Sequence, residues 1–194
     1  MKKSIALAAI ALFVFADSLK AQKIRLIQGS IDAVKAETAI NFEYTYDSMR
    51  VGKFDKEADY IAKKTEEYNN KEAGRGDRWA KAWVDDRQSR FEPKFETLFT
   101  EYSNKTNSKS AKYTMVFKTI FTEPGFNVGV ARKNAQIDAI VLLVETANQG
   151  NVIAKITVDN ALGRTFGGYD FDTGGRIAEA YADAGKALGK YLKQ

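Results

Sequence analysis

The chain has neither cysteine nor histidine, and only two prolines in 194 residues. Without cysteine there are no disulfides, no thiol nucleophile, no thiolate metal site and no residue to carry an N-terminal lipid. Without histidine there is no imidazole general base, no histidine-containing triad and none of the usual zinc sites. Any chemistry must rest on carboxylates, lysine, serine, threonine or tyrosine. No cofactor and no metal are expected. Internal repeats, low-complexity tracts and linkers are missing too, so residues 22–194 read as one α/β domain.

What is present begins with Met1-Lys2-Lys3-Ser4, followed by an apolar run from Ile5 to Phe15 and by small residues at Ala16 and Ala21. A short basic region, an apolar core and small residues behind it describe a secretory signal peptide over residues 1–21, cut after Ala16 or Ala21. The run is too short to hold as a transmembrane anchor. Its loss takes Lys2 and Lys3 and lowers the formal net charge from +5 to +3, with the remaining charges dispersed. That is weak for nucleic-acid binding. A periplasmic or secreted location, with no transmembrane anchor in the mature form, follows as the expectation.

Periodicity then outlines the fold. Lys23–Gln28 is a short strand candidate, and in Thr38–Asp47 the residues Ile40, Phe42, Tyr44 and Tyr46 share one face. Asp55 is placed to cap a helix carrying Ala58, Ile61, Ala62, Thr65 and Tyr68 on one stripe. Asp77 is placed to cap a second helix that runs to about Tyr102. Ser89 and Glu92 stand at capping-box spacing ahead of Pro93, which marks a fresh start or a kink. Lys112–Thr122 alternates again. Gln136–Ala147 is so apolar that it reads as a strand buried on both faces, and Val152–Val158 follows after an Asn148–Asn151 turn. A glycine-rich connector leads to a last helix, Arg176–Lys193. There Ala178, Ala182, Gly185 and Gly189 form a small-residue stripe, expected to let the helix approach the sheet closely. The order β-β-α-α-β-β-β-α predicts a two-layer α/β (α+β) sandwich, a mixed and mainly antiparallel sheet with helices on one face.

Two stretches concentrate residues able to recognise a ligand. Trp79 and Trp83 lie one helical turn apart, beside Asp86 and Arg90 at i,i+4 spacing, with Asp85 and Arg87 between. They read either as core tryptophans beside a surface ion pair or as an aromatic floor with a charged rim. Because Phe91, Phe95, Leu98, Phe99 and Tyr102 already supply the later stripe, at least one tryptophan is expected on a ligand or partner surface. The connector holds Asp170 and Asp172 ahead of Arg176. It lacks the lysine of a phosphate-binding loop, and two carboxylates make an incomplete cation site. Turning the chain and capping the last helix is its plain role.

From Lys112 to Lys193, the apolar strand, Gly-Asn turn, second strand, Gly-rich link and Ala/Gly helix resemble exported bacterial domains of unknown function. More loosely they resemble periplasmic domains of envelope secretion and transport-accessory proteins. Those relatives are commonly lipoproteins, and this chain lacks the cysteine for that. The resemblance implies an envelope role and brings no catalytic residues. The leading expectation is a non-enzymatic binding or interaction module whose partner is a protein or small ligand of the cell envelope. The alternative is a carboxylate-based hydrolase acting on glycan or another envelope polymer, and a third possibility is an assembly subunit that pairs through an exposed strand edge. N-terminal sequencing of protein from its native host is expected to find a chain beginning after Ala16 or Ala21; intact Met1 in a cytoplasmic fraction would overturn the export reading.

Overall fold

In the computed structural model the described residues are 22–128, 131–163 and 172–193. The leader segment 1–21 and Asp170 of the connector lie outside them. The strongest alternating segments become the middle of one seven-stranded sheet. These are β2 (Ala39–Thr45), β5 (Tyr113–Glu123), β8 (Ala135–Glu145) and β9 (Asn148–Gly163). With β1 (Lys23–Gly29) and the two-residue strands β3 (Arg50–Val51) and β4 (Thr106–Asn107), the order is β1-β9-β8-β5-β2-β4, and β3 pairs with β5. The β1–β9, β9–β8 and β8–β5 pairs are antiparallel, whereas β2–β5, β2–β4 and β3–β5 are parallel. The parallel β2–β5 pair has its cause in what separates the two strands: a long helical crossover, not a hairpin. That crossover is α2 (Glu57–Asn69), α3 (Arg75–Asp86) and α4 (Glu92–Ser103), and α5 (Thr173–Tyr191) closes the chain. The structure is thus a mixed α+β sandwich. A short α1 (Asp32–Lys35) and a hairpin of β6 (Phe126–Val128) with β7 (Ala131–Lys133) are additions to the expected order.

The second helix is longer than its sequence signals suggest. It starts at Arg75 behind Gly74, whose φ of 74° suits glycine, and not at an Asp77 cap. It does not restart at Ser89; the Ser89 hydroxyl bonds back to the Asp85 carbonyl inside a continuous helix. Between α3 and α4 the turn Arg87–Phe91 widens to a π-helix, with Glu92 N–H reaching Arg87 O. Pro93 follows within the next turn and supplies no N–H, so the ladder is already loosened where that donor is missing.

One face of the sheet is sealed. Met115, Phe117, Ile137, Ala139, Val141, Leu143, Ala154, Ile156 and Val158 are buried under α4 and α5. Phe95 and Phe99 meet Phe42 edge-on at 5.9 and 5.2 Å, and Phe95 tilts onto Phe117 at 4.7 Å. The alternate residues of β8 (Gln136, Asp138, Ile140 and Leu142) are only half-buried, so the apolar run is covered on one side and not on both. Among the described residues no helix lies on that second face. Register places Glu43, Val116, Leu142 and Lys155 in one row across it, and Thr45, Lys118, Ile140 and Thr157 in the next. Its upper end is roofed instead. Val144 pairs with Val152 and Glu145 with Asn148, so Gln149–Asn151 arch outward, and Gln149 reaches Glu43 at 2.8 Å.

The edge strand β1 exposes Leu26 (39%) and Ile27 (54%), but it bulges between Leu26 and Gln28 and carries Lys23 and Arg25. Bulges and charges of this kind blunt an edge against strand addition.

The small-residue stripe faces a helix and not the sheet. A Cβ on Gly185 would fall inside contact distance of the Phe95 carbonyl, and one on Gly189 would lie 2.7 Å from the Phe99 carbonyl. The sheet meets larger residues of α5, chiefly Tyr181, whose ring lies 5.7 Å from that of Phe117. Gly185→Ala, favoured by about 1 kcal/mol on helix propensity alone, is expected instead to destabilise by roughly 1–3 kcal/mol because α4 must shift. Urea denaturation reads this as a lower midpoint at constant slope; a raised midpoint would show that the helices separate freely.

Candidate functional site

The residues singled out in the sequence collect around the π-turn. Trp83 is 6% exposed, and its Nε1–H donates to Glu57 Oε1 at 2.6 Å. Its ring lies 5.0 Å from Tyr60, and Trp79 packs 5.6 Å from Trp83 and 5.7 Å from both Tyr60 and Tyr68. The surface role expected of these tryptophans fails at Trp83, and Trp79 is half-buried against the same core. The physical reason lies in who serves which core. Phe91, Phe95 and Phe99 pack under the sheet side, so they cannot supply the α2–α3 contact, where Tyr60 and Trp83 are the buried large side chains. The tryptophans are what holds those two helices together.

Asp86 and Arg90 do pair, at 3.7 Å, but Arg90 makes its better contact elsewhere. Its guanidinium forks onto both oxygens of Asp172, at 2.8 and 2.9 Å. Asp172 also caps α5 by accepting the Gly175 N–H at 2.9 Å. A Cβ at Gly174 would collide with the Asp86 carboxylate, so glycine is needed there for the helix end to come this close. The Arg90 fork holds the Asp172 carboxyl below its usual range, while burial foremost pushes that of Asp86 up. The structure therefore joins Asp86, Arg90 and Asp172, two groups the sequence kept apart. Arg176 turns away from them. Its buried guanidinium donates to the carbonyls of Pro124 and Gly125, each at 3.3 Å, and to Thr173 Oγ1 at 3.1 Å.

A polar seam on the other side of the π-turn had no place in the sequence reading. Arg87 donates to both Glu57 oxygens at 2.6 Å and lies 4.2 Å over the Tyr46 ring. The Tyr46 hydroxyl donates to Glu92 and that of Tyr44 to Glu96, both at 3.1 Å, and Asn107 donates to the second oxygen of Glu96 at 2.7 Å. Tyr181 continues the seam inward to Thr119 at 2.6 Å. A signal did exist: tyrosines two apart on a strand stand about 6.7 Å apart and glutamates four apart on a helix about 6 Å, so the two ladders match. A tyrosine at a core-facing position also needs an acceptor for its hydroxyl.

Burial pushes the Tyr44, Tyr46 and Tyr181 hydroxyls well above the ordinary phenol range, so all three stay protonated. Burial also raises the Glu92 carboxyl, against the lowering effect of the Tyr46 hydrogen bond. Among the described residues no group of three or more acidic side chains could hold a metal ion. A shallow depression of about 530 Å³, lined by Thr97, Thr100, Glu101, Asn104, Lys105, Thr106 and Asn107, lies along α4 and shares none of the expected site residues.

No family model matches the sequence, and no curated protein matches it. Solved structures with some likeness include a PelC dodecamer from Paraburkholderia phytofirmans, 12% identical, with a TM-score of 0.37 over 84% of this chain and 96% of that one. A single-substitution variant of the PelC dodecamer from the same organism is 9% identical, with a TM-score of 0.42 over 89% of this chain and 99% of that one.

Because the folded state raises the Glu92 pKa, this residue's contribution to stability is complete below the ordinary glutamate value of about 4.3 and is lost as pH rises through the raised one. Glu92→Gln keeps an acceptor for Tyr46 and removes the buried charge. It is expected to match or exceed the parent by up to about 1 kcal/mol at pH 8 and to lose that advantage at pH 4. Melting curves at the two pH values check this; an advantage that grows on acidification would overturn it.

Proposed function

We propose that this chain is an exported protein of the cell envelope that acts by binding, and that it presents the open face of its sheet to a partner. The observation that carries the reading is the contrast between the two faces. On the helix side, the charged groups around the π-turn are tied to one another or to hydroxyls, and Glu92 and Glu96 each accept a tyrosine hydrogen bond. On the other side, Val116, Ile140 and Leu142 form a half-buried apolar centre flanked by Lys118 and Lys155. Among the described residues neither lysine belongs to an ion pair. An apolar centre with a charged rim has the anatomy of a contact surface. The blunted edge of β1 favours the face over strand addition as the means of contact. The basic-apolar leader supports export, and none of the described helices is long and apolar enough to cross a membrane.

The absence of cysteine makes the test direct, because one introduced thiol is the only thiol. Leu142→Cys is expected to react readily with a maleimide in dilute purified protein and far more slowly in the intact envelope of the native host. Lys81→Cys, on the exposed side of α3, should react alike in both. Equal reactivity of Cys at position 142 in the two settings would retire the binding-face reading.

A further inference from the structure

Resting on that reading, we infer that the occupant of the open face is a second copy of this chain, docked sheet to sheet about a two-fold axis. The axis crosses the strands midway between the row of Leu142 and the row of Ile140. The inference comes from the order of residues along two adjacent rows. One row reads Glu43, Val116, Leu142, Lys155, and the next reads Thr45, Lys118, Ile140, Thr157. Such an axis lays each strand antiparallel on its own counterpart and exchanges the two rows. Leu142 then meets Ile140 of the second copy, and Val116 meets the aliphatic stem of Lys118 of the second copy. Glu43 falls opposite Thr45 and one strand away from that same Lys118, about 4.8 Å to the side, within reach of its ammonium group. Lys155 falls opposite Thr157. Arg25, which continues the second row beside Thr157, falls opposite Gln28 and one strand away from Lys155, and its charge is already answered by Asp159. Both signs of charge and the apolar centre are satisfied by the same surface, which is what an isologous interface requires.

The arch at Gln149–Asn151 selects this axis over the other two-fold choice. An axis along the strands would also match charges, placing Glu43 over Lys155. It would bring both arches to the same end of the sandwich, however, where they compete for one gap. The axis across the strands sends them to opposite ends, so that each arch closes against the unroofed end of the other sheet. Five strands at about 4.8 Å spacing and some eight residues of strand length give a face of roughly 600 Å², the same order as the ~800 Å² per partner of stable complexes. Two sheets packed this way stand about 10 Å apart, the depth of two layers of interdigitating side chains.

Sedimentation velocity on the purified protein, over micromolar to submillimolar concentrations, tests the inference. A reversible dimer is expected. Leu142→Arg should leave only monomer with its urea midpoint unchanged, Glu43→Lys should weaken the dimer, and adding Lys118→Glu to Glu43→Lys should restore it. A monomer throughout the range overturns the inference, as does a dimer indifferent to Leu142→Arg or a charge swap that fails to rescue. The labelling experiment separates the two levels. A thiol at position 142 that is protected in the envelope while the purified protein stays monomeric leaves the binding face standing and removes only the second copy. A thiol reactive in both settings removes both.

Discussion

A buried hydroxyl must find an acceptor, and that requirement sets how this structure is put together. Tyr44 and Tyr46 point from β2 into the helix layer, so their hydroxyls cannot reach bulk water freely. Glu92 and Glu96 answer them from α4, and the match between strand rise and helix rise fixes where along β2 the helix lies. Once α4 is placed, Phe95 and Phe99 fall on Phe42 and Phe117, and the glycines of α5 fall on the carbonyls of Phe95 and Phe99. The apolar packing is larger in total, but hydrophobic burial has no direction. The tyrosine–glutamate ladder supplies the register.

The widened turn at Arg87–Phe91 is the second constraint. One extra residue per turn rotates everything before it relative to everything after it. This lets a single continuous helix serve two cores, with Trp83 buried against α2 and Phe91 against Tyr181 of α5 at 5.1 Å. Two arginines leave the same turn in different directions, Arg87 to Glu57 on α2 and Arg90 to Asp172 at the start of α5. The π-turn is thus the junction where the α2–α3 pair is fastened to the α4–α5 layer.

Much of the fold was legible because it rests on periodicity. The alternation of β2 and β5 and the stripes of α2 and α5 are local properties of the chain, and these elements lie close to where the pattern puts them; β9 is found too, but it begins at Asn148, inside the stretch read as a turn, and runs on to Gly163. The π-turn was not legible, since Ser89, Glu92 and Pro93 are equally good signals for a new helix. The apolar run of β8 misled in another way: Ile140 and Leu142 look like core, yet nothing described covers them. Of the site, the Asp86–Arg90 spacing was readable and the Arg90–Asp172 fork was not, because its partners lie 82 residues apart. The burial of Trp83 was not legible either, because one continuous helix here serves two cores. Pairings of that range depend on topology, which periodicity does not encode.

The strand order also governs when the protein can assemble. β1 and β2 are the first strands made, yet in the sheet they are separated by β9, β8 and β5, all synthesised later. β1 has its only described strand partner in β9, so Arg25 waits for Asp159, 134 residues downstream, before it is paired. β2 can pair with β4 and β5 once the middle of the chain is made, but until the C-terminal third is complete β1 has no described strand neighbour and β5 lacks β8 on its other side. Closure over such sequence distances is slow, and an unfinished sheet with open edges invites aggregation. In a chain threaded through a membrane from its N-terminus, β1 would therefore stay unpaired until the tail has cleared, which suits the unfolded state that such passage demands.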